Sequence, residues 1–299
     1  ENMTFLPKKD LLTLDEIERI CSTFINLGTE KIRITGGEPL VRKNVMNLFE
    51  NLGKFLSIGK LKELTLTTNG SQLSKYAKDL YSYGVRRVNV SVDTLDEDLF
   101  SKLTRRGNLK QVLKGIEEAK KAGLKIKINT VALKKTNEFE LVNILKWAHT
   151  NDYDMTIIET MPLGEIEYDR TDQFLSLSKV RENISKHFEL RKSNHYTGGP
   201  SRYYEVVETG KRIGFITPLT HNFCELCNRV RLTCTGKLYM CLGQEDSADF
   251  TEAVRSENWE HDLVSSIKEA ISRKPKGHDF IIKRKHAPAV NRHMSVTGG

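Results

Sequence analysis

No apolar run in this 299-residue chain approaches the roughly 18 residues that a helix needs to cross a bilayer. No signal-peptide pattern stands at its start. Cysteine is scarce: of five, Cys21 lies in a helix-like segment and reads as a core residue, and three of the others carry metal-ligand spacing. That usage argues against a disulfide framework and for a reducing compartment, so the expected location is cytoplasmic. Aromatics make up only 8% of the sequence, and no aromatic-interleaved basic stripe or arginine-rich tail occurs. Nucleic-acid binding is therefore not expected, although the net charge of +8 calls for an anionic partner. The basic residues fall in scattered pairs such as Lys8-Lys9, Arg86-Arg87 and Lys134-Lys135.

What the chain does have is concentrated between His221 and Cys241. Cys224 and Cys227 form a C-x-x-C turn that can present two thiolates to one metal, and Cys241 returns after thirteen residues. A Gly236-Lys237 turn between the strand-like runs Val230 to Leu232 and Leu238 to Met240 predicts a hairpin. Three thiols leave one metal position open, unless Cys234 or His221 supplies a fourth ligand and the site is a closed zinc knuckle. Arg229 and Arg231 alternate along one arm and so project to one side, where they suit a phosphate chain.

From Leu14 to Thr160 helical and strand patterns alternate. Strands are predicted at Lys31 to Thr35, Glu63 to Thr67, Arg87 to Val92, Lys125 to Leu133 and Asp154 to Thr160, with helices between them, one running from about Val41 to Phe55. This order demands a parallel sheet, doubly wound or curled into a barrel. Each strand has one polar face: Arg33 and Thr35 alternate with Ile32 and Ile34, and Lys127 and Asn129 with Ile126 and Ile128. Strands buried by helices on both faces are nearly continuously apolar, so the pattern favours an incomplete barrel around a large polar ligand. After Pro162 the pattern loosens. The division expected is 1–162, a partial barrel, and 163–299, a region for the auxiliary metal and the ligand.

The segments KIRITGGEPLVR, LTTNG, NVSVD, KINTV, IETMPLGE, FCELCNRVRL with Cys241, and a terminal Gly-Gly together resemble the radical S-adenosylmethionine GTP 3',8-cyclases of molybdenum cofactor biosynthesis, the MoaA family. The resemblance implies an α/β fold, an incomplete (βα)6 TIM-like barrel of the radical SAM type with a C-terminal Fe-S-binding extension. It implies that Gly37, Ser91 and Met161 contact S-adenosylmethionine, that Arg33, Thr67, Lys127, Arg229 and Arg231 contact GTP, and that Cys224, Cys227 and Cys241 hold a [4Fe-4S] cluster. Gly298 and Gly299 become candidates for a catalytic role. A second [4Fe-4S] cluster belongs to the family's C-x-x-x-C-x-x-C motif, expected just before Glu1 with the first barrel strand; without it the chain as given would be unable to start the radical reaction. Thr156 stands where some members carry an arginine facing the phosphates. The expected partners are GTP, a reductant such as flavodoxin or ferredoxin, cyclic pyranopterin monophosphate synthase downstream and a second copy in a homodimer, with no membrane and no nucleic acid. The competing readings are another radical SAM enzyme with an auxiliary cluster, such as a peptide maturase, and a zinc-binding nucleic-acid module.

Overall fold

The first helix begins where the sequence supplies a cap. Thr13 Oγ1 accepts from the Glu16 amide at 3.1 Å while Glu16 Oε2 accepts from the Thr13 amide at 2.7 Å. The exchange satisfies donors that a first turn leaves unmatched, and α1 (Leu14–Asn26) is the result. Gly28, at φ 102°, takes the chain out of it. The computed structural model describes residues 7–161, 170–197, 199–219, 227–275, 290 and 296.

Four strand-helix units and a fifth strand come next: β1 (Lys31–Ile34), α2 (Val45–Ser57), β2 (Glu63–Thr68), α3 (Leu73–Ser82), β3 (Arg87–Ser91), α4 (Glu97–Thr104), α5 (Leu109–Lys121), β4 (Lys125–Ala132), α6 (Leu141–Thr150) and β5 (Asp154–Glu159). Asp96 caps α4 through the Leu99 amide and Asn108 caps α5 through the Gln111 amide. One boundary differs from expectation. The helix predicted from Val41 starts at Val45, because Glu38 caps a separate 3-10 turn over Pro39–Val41 and Asn44 then adopts a left-handed conformation.

Beyond α7 (Arg170–Gln173) and α8 (Leu177–Ser185), the strands β6 (Leu190–Lys192), β7 (Arg202–Val206) and β8 (Lys211–Ile216) continue the same sheet. Its order is β1-β2-β3-β4-β5-β8-β7-β6, with β8 parallel to β5 and β7 and β6 antiparallel. The barrel is thus incomplete, and a strand from beyond residue 163 pairs directly with β5.

The outer face of the sheet carries Leu64, Leu66, Val88, Val90, Ile126, Ile128, Met155 and Ile157, all buried under the helices in one core. A second core joins the cysteine hairpin, β9 (Arg231–Leu232) and β10 (Lys237–Tyr239), to β11 (Ser247–Asp249), α9 (Thr251–Arg255) and α10 (Trp259–Ser272). Leu238, Met240, Phe250, Leu263 and Ile267 fill it together with Leu12 and Ile20. Helix α1 serves both cores, Ile25 in the first and Ile20 in the second. Arg255 pairs with Glu16 at 2.6 Å across the same junction. The hairpin is therefore held against the barrel by a shared helix. β6, β11 and α9 had no sequence signal: each is five residues or fewer, too short for a periodic pattern.

Candidate active site

The polar faces of the strands meet on the inside of the sheet. Thr67, Asn89 and Lys127 are successive Cα partners across β2, β3 and β4. One level nearer the strand C-termini, Ser91, Asn129, Thr156, Gly214 and Tyr203 form a continuous row across β3, β4, β5, β8 and β7. Parallel pairing in this register, with a side-chain period of two, is what brings Arg33, Thr67 and Lys127 to one lumen.

Six cations share that space. Burial, then repulsion from Arg87 and Arg229, hold the Arg33 guanidinium down to about 10. Arg33 remains accessible to solvent. Its dense protein surroundings and its accessibility are compatible because it projects from the inner face of an open sheet. Arg231 is likewise held down to about 10, by burial and then by Arg229 and Arg33, with the Cys227 and Cys241 sulfurs acting the other way. Burial lowers Lys127, and Arg87 and Arg33 add to the effect. Lys31 and Arg87 are paired with one carboxylate, Glu63, at 2.5 and 2.6 Å. Lys127 donates to the Tyr203 phenol at 2.6 Å and lies 4.9 Å from its ring centroid. Burying so many like charges is unfavourable unless an anion joins them.

The hairpin supplies the other wall. Leu232 pairs with Leu238 and Arg231 with Tyr239, and Gly236 makes the turn at φ 88°. Cys227 and Cys241 lie at the open end of this ladder and Cys234 at its tip, an exposed position whose carbonyl accepts from the Leu12 amide. Cys234 is therefore poorly placed to be a fourth ligand. Burial raises the Cys227 thiol, but the Arg229 amide and guanidinium and the Lys274 ammonium more than offset this, so it sits below its ordinary value. That is a setting that favours thiolate. Cys224, Gly298 and Gly299 lie outside the described residues. Among the described residues no three His, Cys, Asp or Glu side chains converge as a metal site.

Gly37, Ser91 and Met161 stand at the C-terminal ends of β1, β3 and β5. A Cβ added at Gly37 would meet nothing within 4 Å, so its backbone faces open space. The loops there are tied down by half-buried carboxylates and one buried amide side chain. Glu38 accepts from Thr68 Oγ1 at 2.8 Å and from the Asn69 amide at 2.6 Å. Asp93 accepts from the Val131 amide at 2.7 Å, and burial pushes its carboxyl up to about 6. Asn137, fully buried, donates to the carbonyls of Asp93 and Val131.

Three residues of the lumen escape a reading of the sequence. Arg87 reads there as one of the scattered basic pairs, Glu63 as an ordinary strand residue, and Tyr203 as part of a loosely patterned segment. Alternation marks Arg87 and Glu63 as inward, but only the pairing of β7 beside β8 brings Tyr203 to Lys127.

Residues 2–148 match the radical SAM superfamily, and residues 153–280 match the family described as Molybdenum Cofactor Synthesis C. A GTP 3',8-cyclase of Rhizobium leguminosarum bv. trifolii is 62% identical over 300 residues, covering 100% of this chain and 86% of that protein. One from Brucella ovis is 60% identical, with 100% and 87% coverage. In fold, the crystal structure of Streptococcus suis SuiB bound to S-adenosylmethionine is similar at a TM-score of 0.58 and 15% identity, over 99% of this chain and 71% of that one.

Proposed function

The chain belongs to the GTP 3',8-cyclase family, and from that premise we propose that it converts GTP, with S-adenosylmethionine, to (8S)-3',8-cyclo-7,8-dihydroguanosine 5'-triphosphate, the first step of molybdenum cofactor biosynthesis. The observation that carries this reading is the convergence of Lys31, Arg33, Arg87, Lys127, Arg229 and Arg231 on one lumen beside Cys227 and Cys241. A polyanionic triphosphate relieves the repulsion among them and gains charge-assisted hydrogen bonds.

The residues present fit the implied groups. Cys227 and Cys241 are held in no disulfide and lie near arginines, and with Cys224 they would hold an auxiliary iron-sulfur cluster. The Thr67 and Thr156 hydroxyls are buried without a partner, as expected of groups that wait for a ligand. Gly37 leaves open space for S-adenosylmethionine, with Ser91 and Met161 at neighbouring strand ends.

When bound, the iron-sulfur cluster and S-adenosylmethionine supply the one-electron radical chemistry; the protein supplies orientation, charge and exclusion of water. Arg33, Lys127, Arg229 and Arg231 fix the triphosphate, Thr67 donates to it or to the ribose, and Glu63 keeps Lys31 and Arg87 directed inward when no ligand is present. The two-cluster arrangement, a flavodoxin or ferredoxin as electron donor, a homodimer, and hand-over of product to cyclic pyranopterin monophosphate synthase complete the reading.

Anaerobic reconstitution with iron and sulfide tests it directly. The expected result is a brown protein that binds GTP, with the colour diminished in Cys241→Ala and retained in Arg229→Ala, which loses GTP affinity instead. A colourless zinc protein with steeply salt-dependent affinity for DNA would establish the nucleic-acid module in its place.

A further inference from the structure

The sheet begins with β1 and ends with β7 and β6, yet the connection between β6 and β7 reaches back to its first strand. Lys31 Nζ on β1 donates to the Thr197 carbonyl at 3.0 Å. The hydroxyl of the same Thr197 lies 3.3 Å from the Tyr203 phenol oxygen, and that oxygen accepts from Lys127 Nζ on β4 at 2.6 Å. One short segment thus ties together ammonium groups from the first and fourth strands. The Tyr203 ring is itself held. Gly214 lies beneath it, where a Cβ would stand 3.0 Å from a ring carbon, and His195 meets it edge to face at 4.9 Å and 74°. Arg212, 3.8 Å from Asp154, reaches His195 Nδ1 at 3.4 Å. Tyr203 is buried, so its oxygen is a fixed point to which Lys127 is anchored.

A lysine has a flexible four-carbon stem and gives up its proton readily when buried among like charges. Lys127 is faced by Arg33 from β1, Arg87 from β3, His195 from the β6–β7 connection and Tyr203 from β7, and it stands in register with Asp154 of β5, which is engaged with Arg212. Burial and the two arginines work against its charge; the Tyr203 oxygen works for it. Lys31 and Arg87 are treated differently, since both are set against the carboxylate of Glu63. A phenol anchors an ammonium through its oxygen and its ring without cancelling the charge, which leaves Lys127 available to an anion. We infer that Tyr203, braced by Thr197 and His195, is the positioning residue of Lys127: it keeps the ammonium protonated and fixed in the lumen for an incoming anion. The role rests on the GTP reading above for the anion that Lys127 meets, and Tyr203 acts through Lys127 rather than on the nucleotide.

Two measurements test it. Competitive acetylation with acetic anhydride across a pH series, read by peptide mass mapping, follows the titration of each lysine without any nucleotide. In Tyr203→Phe, which keeps the ring and removes the oxygen, the protonation equilibrium of Lys127 should weaken about tenfold while that of Lys31 moves less than about twofold. The second measurement is a double-mutant cycle, with GTP and inorganic triphosphate bound to the anaerobically reconstituted protein in equilibrium dialysis. Tyr203→Phe should lower triphosphate affinity about tenfold when Lys127 is present and less than about twofold in a Lys127→Met background. Thr197→Val, which keeps the carbonyl for Lys31, should give the same pattern with about a threefold loss, and it covers the case in which Tyr203→Phe folds poorly. An unmoved Lys127 titration, or equal losses in the two backgrounds, would overturn the role. Should the wild-type protein bind inorganic triphosphate but no guanine nucleotide, with the cycle still coupled, the positioning role stands and the GTP reading fails. Binding of neither overturns both.

Discussion

Leu66, Val90, Ile128 and Ile157 on the outer face of the sheet are fully removed from water, and on the inner face of the same strands Asn89, Lys127 and Thr156 are nearly as buried, at 2%, 7% and 0% exposure. At these positions the two faces share backbone, register and burial and differ only in chemistry. Outside, each side chain loses contact with water and gains close-packed neighbours, which stabilises the fold by about 1.5–3 kcal/mol per large residue. Inside, burial works against stability: ammonium and guanidinium groups lose hydration and repel one another, and hydroxyls lose partners. One face holds the protein together; the other holds unsatisfied electrostatics in readiness for a ligand. The outer core has to exceed the inner cost, which a sheet of eight strands wrapped by helices can do.

Truncation on the two faces should separate these roles. Leu66→Ala should have the largest effect, a loss of about 2–5 kcal/mol of unfolding free energy, read by denaturant titration, with the preference for GTP over GMP unchanged in the protein that remains folded. Arg33→Met should act the other way round. It should weaken GTP binding about a hundredfold, or about 2.7 kcal/mol, while leaving the unliganded protein as stable or more so, because it removes one repelling charge. A clear loss of stability in Arg33→Met would break the contrast between the faces.

Asp93 offers a sharper case, since it is an acid rather than a base at the rim of the inner face. Its folded value of about 6 lies above the ordinary carboxyl range near 4, so the folded state holds the proton more tightly than the unfolded one. Its contribution to stability is full below about pH 4 and is lost as pH rises from about 4 to about 6. Asp93→Asn keeps an acceptor for the Val131 amide and removes the titration. The variant should therefore gain stability relative to wild type across that window, by about 2–3 kcal/mol above pH 6, and a difference that is flat with pH would contradict the assignment. The smallest effect is expected at the junction of the two cores. Thr13→Ala removes a reciprocal cap on α1 and should cost about 1 kcal/mol, visible as a lower midpoint in thermal unfolding, with nucleotide selectivity untouched.

Most of the barrel is legible in the chain itself. Period-two alternation in KIRIT, LTLTT and KIKINT, glycine stops at Gly28, Gly84 and Gly123, and caps at Thr13, Asp96 and Asn108 are local signals, and local signals survive in a linear chain. The cysteine hairpin is legible for the same reason, because its turn, arms and thiol spacing lie within about twenty residues. Arg33, Thr67, Lys127, Arg229 and Arg231 are marked by strand position and by resemblance. What stays hidden is non-local. Tyr203 and Ser201 lie in weakly patterned sequence, and nothing near them indicates that β7 will pair with β8, that β8 will pair with β5, or that Lys127 will reach a phenol 76 positions away.

The sequence by itself thus determined the repeating strand-helix units, the polar side of each strand and the identity of the groups that could bind an anion or a metal. Those depend on side-chain period, capping and spacing over a few residues. Only the tertiary structure decided that α1 would belong to two cores and so press the hairpin against the barrel, that Lys31 and Arg87 would meet on the single carboxylate of Glu63, and that Gly214 would let two hydroxyls and the edge of the Tyr203 ring converge over it. Each of those is a meeting between distant segments, set by register and by which surfaces must be buried together, and no stretch of chain carries it alone.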